Sequence, residues 1–171
     1  KSDRKGLKAT HIKTSELRNC KRMIEVKDIT KKYDKTVLER VSLDVPDGKR
    51  VSLIGPSGCG KSTLLRIIMG LTQANSGDVF IDGKRMDSQN VRDLRRSIGY
   101  VIQNGGLFPH LTARENCTLV TSYLGWGHKR ENQRMYELTE LTSIDPSILD
   151  RKPDYLSGGQ AQRISLIRAL M

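Results

Sequence analysis

The sequence has no long apolar run. Its longest apolar stretches, such as residues 64–69 with Arg66 inside it, fall far short of the roughly 20 residues that a membrane-spanning helix needs. No part of the sequence is therefore predicted to cross a bilayer. Residues 1–22 also lack the apolar centre of a secretory signal, which predicts a protein that is made and kept inside the cell.

Cysteines and aromatic residues are few. The three cysteines, Cys20, Cys59 and Cys117, form no CxxC pair and have no histidines at zinc-binding spacing, a pattern typical of a reducing, cytosolic setting. Aromatic residues make up 5% of the chain and rarely stand beside the basic ones. A surface that stacks on nucleic-acid bases is therefore not indicated.

What the sequence does have is positive charge, a formal +11 in 171 residues. Residues 1–22 contain eight lysines and arginines against two acidic residues, so more than half of this excess lies in one short segment. That segment shows no sustained apolar period and is predicted to be a disordered basic tail, or to lie outside the natural start, with Met23 as an alternative first residue. We therefore expect no nucleic-acid partner, and one globular domain in the rest of the chain.

The remaining residues predict an α/β fold. Apolar alternation predicts strands at residues 24–29 and 41–45, which we expect to pair with each other. A β-rich run at 50–54 predicts a strand, followed by a helix at 61–69 that Gly70 ends. The other predicted elements are, in order, a strand at 79–81, a helix at 91–96, a buried strand at 98–102, a helix from Ala113 capped by Thr112 with Glu115 in a capping box, a helix at 129–141, and a last helix from about residue 160 with Ile164, Ile167 and Met171 on one face.

Residues 55–62 read GPSGCGKS and match the phosphate-loop pattern GxxxxGK[ST] between a predicted strand and a predicted helix. Glycines let backbone N–H groups converge on phosphates, and the helix start adds the positive end of its dipole. Lys61 would reach the β- and γ-phosphates of ATP, and the Ser62 hydroxyl would bind Mg²⁺. The alternative is a glycine-rich turn without a ligand, and Cys59 is either a redox-sensitive thiol or an ordinary small side chain. The predicted ATP-binding residues of this loop are Gly55, Pro56, Ser57, Gly58, Cys59, Gly60, Lys61, Ser62 and Thr63.

A second glycine-containing helix start lies near the end of the sequence. Leu156, Ser157, Gly158, Gly159 and Gln160 read LSGGQ, and we call them the LSGGQ segment. They combine a small hydroxyl, two glycines and the start of the last predicted helix. One interpretation is a second anion site, and the alternative is an N-cap in which the Ser157 side chain satisfies the first N–H groups of the helix.

The phosphate loop, the LSGGQ segment and Gln103 between them occur in the order and approximate spacing of an ABC transporter ATPase, and residues 23–171 resemble that family. The resemblance implies a P-loop NTPase with a mixed central sheet, an antiparallel β subdomain and a helical subdomain that carries the signature. It places the ATP-binding core and β subdomain at 23–103, the Q-loop and helical subdomain at 104–155, and the signature with its helix at 156–171.

The resemblance also implies roles for single residues. Tyr33 corresponds to the aromatic residue that stacks on adenine, with a solvent-facing loop tyrosine as the alternative. Gln103 corresponds to the Q-loop glutamine, which belongs with Lys61 to the catalytic set and contacts Mg²⁺ and the attacking water; the alternative is a polar residue that ends a strand. In this family the LSGGQ segment acts on ATP held by another copy, which implies a head-to-tail homodimer formed around ATP.

Further partners are implied in the membrane. Transmembrane permease subunits, and through them an extracytoplasmic substrate-binding protein, would hold the chain at the cytoplasmic face of the plasma membrane. Residues 104–112 lie where family members dock the coupling helix of the permease, and Leu107 and Phe108 are either such contacts or core packing. Residues 97–120 resemble the ATPases of bacterial importers of glycine betaine, choline or carnitine. Amino-acid or polyamine importers and non-transport ABC ATPases are the alternatives, whereas a soluble P-loop kinase has no use for the LSGGQ segment.

The sequence departs from the family pattern at Met171, before the Walker B strand, the catalytic glutamate and the switch histidine. We expect the intact gene product to continue. Loss of a catalytic carboxylate typically lowers a rate by about 10²- to 10⁴-fold. The strand that would lie beside the phosphate-loop strand is also missing, which leaves an unpaired sheet edge. We therefore expect these 171 residues alone to be unstable and nearly inactive.

Overall fold

The computed structural model describes residues 22–103 and 105–171. These residues form two compact units, of which one ends at Ser97 and the other spans Ile98–Met171. Each unit has its own elements and its own buried residues.

The break between the two units lies a few residues before the boundary predicted after Gln103. The predicted division into an ATP-binding core, a helical part and an LSGGQ helix stays a prediction. The predicted basic tail, residues 1–22, lies outside the described residues except for the backbone of Arg22, and Asn104 lies outside them as well.

The described part of the first unit contains a four-stranded antiparallel sheet in the order β2-β1-β3-β4. The strands are β1 (Arg22–Lys32), β2 (Thr36–Pro46), β3 (Ser76–Ile81) and β4 (Lys84–Arg85). The predicted pairing of the first two strands is confirmed, with Val26 opposite Leu43. The strand predicted at 79–81 is confirmed as part of β3. β4 was not predicted because two residues are too few to show a period. The apolar side chains that this sheet buries are Val26, Ile29, Leu38, Val79 and Ile81.

The described part of the first unit also contains two helices, α1 (Lys61–Ile68) and α2 (Val91–Arg96), and both were predicted. The buried face of α1 carries Leu64, Ile67 and Ile68. The guanidinium of Arg95 on α2 donates hydrogen bonds to the carbonyls of Met69, at 3.1 Å, and Gly70. These bonds satisfy carbonyls that have no partner at the end of a helix, so α2 fixes the carboxyl end of α1.

The strands predicted at residues 50–54 and 98–102 do not form, and that prediction is wrong. A strand is defined by its hydrogen-bonded neighbour, and no strand of the described residues pairs with either segment. Ile54 is 77% exposed, and Val101 and Ile102 are each 41% exposed, so their side chains are not those of a buried central strand. The sheet of the described residues is accordingly antiparallel, without the mixed central part that was expected.

The second unit is helical in its described part, with α3 (Ala113–Tyr123), α4 (His128–Leu141) and α5 (Gly158–Leu170). Two short 3₁₀ turns, Pro146–Ile148 and Pro153–Tyr155, precede α5 and were not predicted. Ile164 and Ile167 are fully buried and Met171 lies against the same cluster, as the predicted common face requires. No helix of the described residues is both long and apolar enough to span a bilayer. The core cluster consists of Ala113, Cys117, Met135, Leu138, Ile144, Ile148, Leu149, Ile164 and Ile167.

Candidate functional site

The part of the phosphate loop that precedes α1 ends at Gly60, which is the N-cap of this helix and has φ of 99°. The Gly60 carbonyl accepts the first helical hydrogen bond, from the N–H of Leu64 at 2.9 Å. A Cβ at Gly60 would lie 2.7 Å from Leu38 Cδ2 and 3.0 Å from the Val37 carbonyl oxygen, both on β2. A side chain is therefore excluded by backbone conformation and by space, and only glycine lets the loop sit this close to β2.

The ammonium group of Lys61 lies over the phosphate loop. Its Nζ donates to the carbonyls of Gly55 and Pro56, each at 2.8 Å, and lies 3.5 Å from the sulfur of Cys59. An ammonium has three protons, and these three loop atoms account for all of them. A full positive charge is thus held at the loop, where a phosphate oxygen would be a stronger acceptor than a neutral carbonyl.

Ser62 and Thr63 occupy the first turn of α1, and Ser62 is exposed. Its hydroxyl supplies one oxygen ligand of the kind Mg²⁺ prefers. No group of three or more acidic, histidine or cysteine side chains among the described residues is arranged to hold a metal ion. The exposed Ser62 hydroxyl fits Mg²⁺ bound together with phosphate and water oxygens, which is the usual situation for this ion beside nucleotides.

Tyr33 lies in the turn between β1 and β2, with 59% of its surface exposed. The Lys31 ammonium is 4.9 Å from the centre of its ring. The ring face is thus near a cation and open to solvent, an arrangement in which a flat aromatic base can stack. The solvent-facing alternative describes the same geometry, so the adenine-stacking role stays a prediction.

The two cysteines of the described part have different surroundings. Cys59 is half-buried and close to Lys61, whereas Cys117 is fully buried on α3. Burial raises the pKa of the Cys117 thiol to about 12, with the nearby cations Arg168 and Arg114 acting weakly in the other direction. Cys117 is therefore a neutral core residue at physiological pH.

The LSGGQ segment forms a capping box at the start of α5. The Ser157 hydroxyl accepts from the Gln160 N–H at 3.2 Å, and the Gln160 side chain accepts from the Ser157 N–H at 2.9 Å. The N-cap interpretation is therefore realised in the structure, but it leaves two donors over. The N–H groups of Gly158 and Gly159 have no acceptor within the part of the chain that the structure describes, and both residues are exposed. Together with the helix dipole, these free N–H groups keep the anion-binding interpretation open.

Arg163 fixes the position of this helix start, and sequence reasoning missed it. Its guanidinium donates to the carbonyls of Ser143 at 2.9 Å and Thr142 at 3.3 Å, at the end of α4, and to Gly159 at 3.4 Å. The first turn of α5 is thereby tied to the last turn of α4. The bonds to Thr142 and Ser143 join residues about twenty positions apart, and no local sequence signal predicts them.

Gln103 is exposed, and the segment that follows it is organised by Asn116. The side chain of Asn116, fully buried on α3, accepts from the Phe108 N–H at 2.7 Å and donates to the carbonyls of Phe108, Leu111 and Thr112 at 3.0–3.2 Å. This buried amide was not predicted as a key residue, since its partners lie outside the helix that carries it.

Two further predictions concern residues near Asn116: the surroundings of Leu107 and Phe108, and the capping box of Thr112. Leu107 packs against the core cluster of the second unit, whereas Phe108 is 43% exposed. The predicted capping box is confirmed, since Thr112 and Glu115 exchange both hydrogen bonds. Hydrogen bonds from the Thr112 backbone and side chain lower the pKa of the Glu115 carboxyl, so this group is charged at neutral pH.

The residues that match known proteins include the starts of both α1 and α5. Residues 38–171 match the family model described as ABC transporter. The chain is 43% identical over 150 residues to the glycine betaine/carnitine/choline transport ATP-binding protein OpuCA of Bacillus subtilis, covering 86% of this chain and 40% of that protein. It is 39% identical over 150 residues to the sn-glycerol-3-phosphate import ATP-binding protein UgpC of Yersinia enterocolitica, covering 86% and 41%. The chain thus spans about two fifths of the length of these curated relatives.

A solved structure agrees with the fold. The ATP-binding cassette MJ0796, a dimer in a post-hydrolysis state bound to ADP and Pi, has a TM-score of 0.78 and 35% identity, covering 86% of this chain and 69% of that chain. The predicted α/β class with a P-loop NTPase fold is confirmed by this likeness.

Proposed function

The chain belongs to the ABC transporter family, and on that premise we propose that it provides the ATP-binding part of a solute importer. The observation that carries the proposal is the pair of helix starts, one with a lysine ammonium held over a glycine loop and one with two free glycine N–H groups. Each helix start can bind an anion, and a nucleoside triphosphate has enough phosphate groups to contact two helix starts at once.

ATP binds first at the phosphate loop in this proposal. Lys61 exchanges its bonds to the carbonyls of Gly55 and Pro56 for bonds to the β- and γ-phosphates, because a charged acceptor forms a stronger hydrogen bond than a neutral carbonyl. The start of α1 adds its dipole, and Ser62 holds Mg²⁺, which neutralises phosphate charge when it is bound. Tyr33 stacks on the adenine.

The LSGGQ segment acts on a second copy. Gly158 and Gly159 donate their free N–H groups to the γ-phosphate held by the partner, while the capping box and Arg163 keep this turn in one conformation. Two copies then close head-to-tail around two ATP molecules. Gln103 senses whether the γ-phosphate is present and orients the attacking water. The dimeric state of MJ0796 with ADP and Pi supports this arrangement.

The cargo that we propose is a quaternary-amine osmoprotectant. OpuCA, whose name gives glycine betaine, carnitine and choline as its cargo, supports this choice. UgpC, named for import of sn-glycerol-3-phosphate, is a relative of nearly equal identity, so a different small solute is the competing proposal. In either case transmembrane permease subunits carry the solute and hold this chain at the cytoplasmic face of the membrane. A substrate-binding protein delivers the solute on the other side. Uptake assays with the permease, using radiolabelled choline, betaine and glycerol 3-phosphate, distinguish the two.

The nucleotide proposal is tested by replacing Lys61 in the full-length protein that contains this chain. We expect Lys61→Ala to weaken binding of a non-hydrolysable ATP analogue by about 10- to 100-fold, since charge-assisted hydrogen bonds contribute about 1.5–3 kcal/mol. ATP-dependent dimerisation, measured by analytical ultracentrifugation, should be lost with it. Lys84→Ala, at an exposed lysine of β4, is the matched control and should bind and dimerise like the wild type. A wild-type protein that stays monomeric with the analogue would refute the proposal.

A further inference from the structure

Three side-chain donors of α5 converge on two consecutive carbonyls that follow Gln103. Arg168 donates through Nη1 to the Gly106 carbonyl at 2.8 Å and through Nη2 to the Gly105 carbonyl at 3.1 Å. The buried hydroxyl of Ser165 lies 2.6 Å from the same Gly105 oxygen. It is also 2.9 Å from the Ala161 carbonyl of its own helix, so one proton serves two acceptors.

The backbone at this point is shaped to present those carbonyls. Gly105 and Gly106 have φ of 73° and 55°, the left-handed region that favours glycine. A Cβ at Gly105 would lie 3.2 Å from the Ser165 hydroxyl, and one at Gly106 would clash with the side chain of Ile102. Gly105 therefore lets this segment lie directly on α5, and Gly106 lets it pass close to the Ile102 side chain.

Gln103 is held between attachment points on the same helix. The Gly105 N–H donates to the Ile102 carbonyl at 3.0 Å, which closes the turn that contains Gln103. On the other side, a Cβ at Gly99 would clash with the backbone of Ala169, so the chain entering this turn also lies against α5. The turn that carries Gln103 is thus attached to α5 both before and after the glutamine.

The same helix begins with the LSGGQ segment. Gly158 and Arg168 are ten positions apart, about 15 Å at 1.5 Å per residue, within one uninterrupted α-helix. Ile164 and Ile167, between the two ends, are fully buried in the core cluster. A helix fixed in this way moves as a rigid element, so a displacement at one end displaces the other.

We propose that Arg168, assisted by Ser165, is a positioning residue that makes the Gln103 turn and the LSGGQ segment one mechanical unit. A shift of Gln103 with the nucleotide state is then transmitted along α5 to Gly158 and Gly159. The link rests on the proposed function, because it couples two sites whose roles belong to that function. Its physical basis is the set of bonds from Arg168 and Ser165 to Gly105 and Gly106, none of which involves a residue proposed to bind ATP.

The test uses Arg168→Met in the full-length protein. We expect the Kd for a non-hydrolysable ATP analogue to change by less than about twofold, since the phosphate loop is unaltered, while kcat and ATP-driven dimerisation fall by about tenfold, within the usual range of coupling between sites. Arg168→Lys should recover part of the loss, because one ammonium can reach one carbonyl but lacks the two-pronged geometry. Arg134→Met is the matched control, since it also removes a guanidinium bond to a carbonyl, that of Leu170, and leaves the bonds to Gly105 and Gly106 in place.

Equal kcat and dimerisation in the two methionine variants would overturn the inference. If Arg168→Met does not fold, Ser165→Ala removes one donor to the Gly105 carbonyl and should lower kcat by a smaller factor. No change in kcat would likewise overturn the inference. A wild type that binds the analogue yet neither dimerises nor hydrolyses ATP refutes the proposed function and the link with it. If the wild type dimerises and hydrolyses ATP, and Arg168→Met does so equally well, the link alone is refuted.

Discussion

Replacing Gly60 by alanine tests how the phosphate loop is held against the sheet. The added methyl carbon would lie 2.7 Å from Leu38 Cδ2, 3.0 Å from the Val37 carbonyl oxygen and 3.3 Å from Val37 Cγ1. The Leu38 side chain is 1% exposed, so a shift of its methyl group disturbs the buried side chains around it, and the Val37 oxygen belongs to a paired strand. The loop must therefore move away from β2, or β2 must bend.

Two costs add in this variant. An L-residue in a left-handed conformation costs roughly 1–2 kcal/mol, and Gly60 has φ of 99°. Forcing an extra carbon into a filled space typically costs about 1–3 kcal/mol. We therefore expect Gly60→Ala to lower the free energy of unfolding by about 2–5 kcal/mol, a large part of the stability of an ordinary domain.

Urea unfolding at 25 °C, followed by circular dichroism, measures this loss. Gly83→Ala is the control that separates the two costs, because Gly83 also has a positive φ, 76°, but no heavy atom lies within 4 Å of its Cβ position. We expect about 1–2 kcal/mol for the control, from backbone conformation alone. If the two variants lose the same free energy within about 0.5 kcal/mol, the usual scatter for sites without special features, the contact between the loop and β2 contributes nothing and the reasoning is refuted.

Two further predictions concern the second unit. Asn116→Ala should lower the free energy of unfolding by about 2–4 kcal/mol, since it removes the acceptor of the Phe108 N–H and the donor to the Leu111 carbonyl. Limited proteolysis should then cut near Phe108, and an unchanged cleavage pattern would count against this. The Cys117 thiol, with a pKa raised to about 12, stays protonated when folded while the unfolded thiol ionises near pH 9. The folded state thus binds more protons between these pH values, and the free energy of unfolding should fall as pH rises through that window, with Cys117→Ala removing this part of the slope.

Local hydrogen bonds explain which elements the sequence could predict. The capping box of Thr112 and Glu115 spans three residues, and α1 lies between a glycine loop and Gly70, so their signals are complete within a short segment. The strands predicted at 50–54 and 98–102 failed for the opposite reason. A strand depends on a distant neighbour, and β-rich composition does not supply one.

In the candidate site, too, the features with local sequence signals were predicted and those that depend on distant residues were not. The phosphate loop and the LSGGQ segment were recognised as candidate anion sites from their sequence patterns. Their glycine, lysine and serine residues act on groups that are close in sequence, so a short pattern contains the whole signal. Asn116, Arg163 and Arg168 were missed, since their partners lie far away in sequence or in loops of irregular conformation. Such contacts become visible only when the fold is known.

The two capping boxes differ in one atom type, and the difference matters for the electric field at each helix start. At α3 the partner of the N-cap is Glu115, a carboxylate kept ionised by its hydrogen bonds, so the positive potential there is neutralised by the protein itself. At α5 the partner is the neutral amide of Gln160, which makes the same bond without bringing a negative charge. The potential of α5 therefore extends outward from Gly158 and Gly159, where an incoming phosphate would experience attraction instead of repulsion.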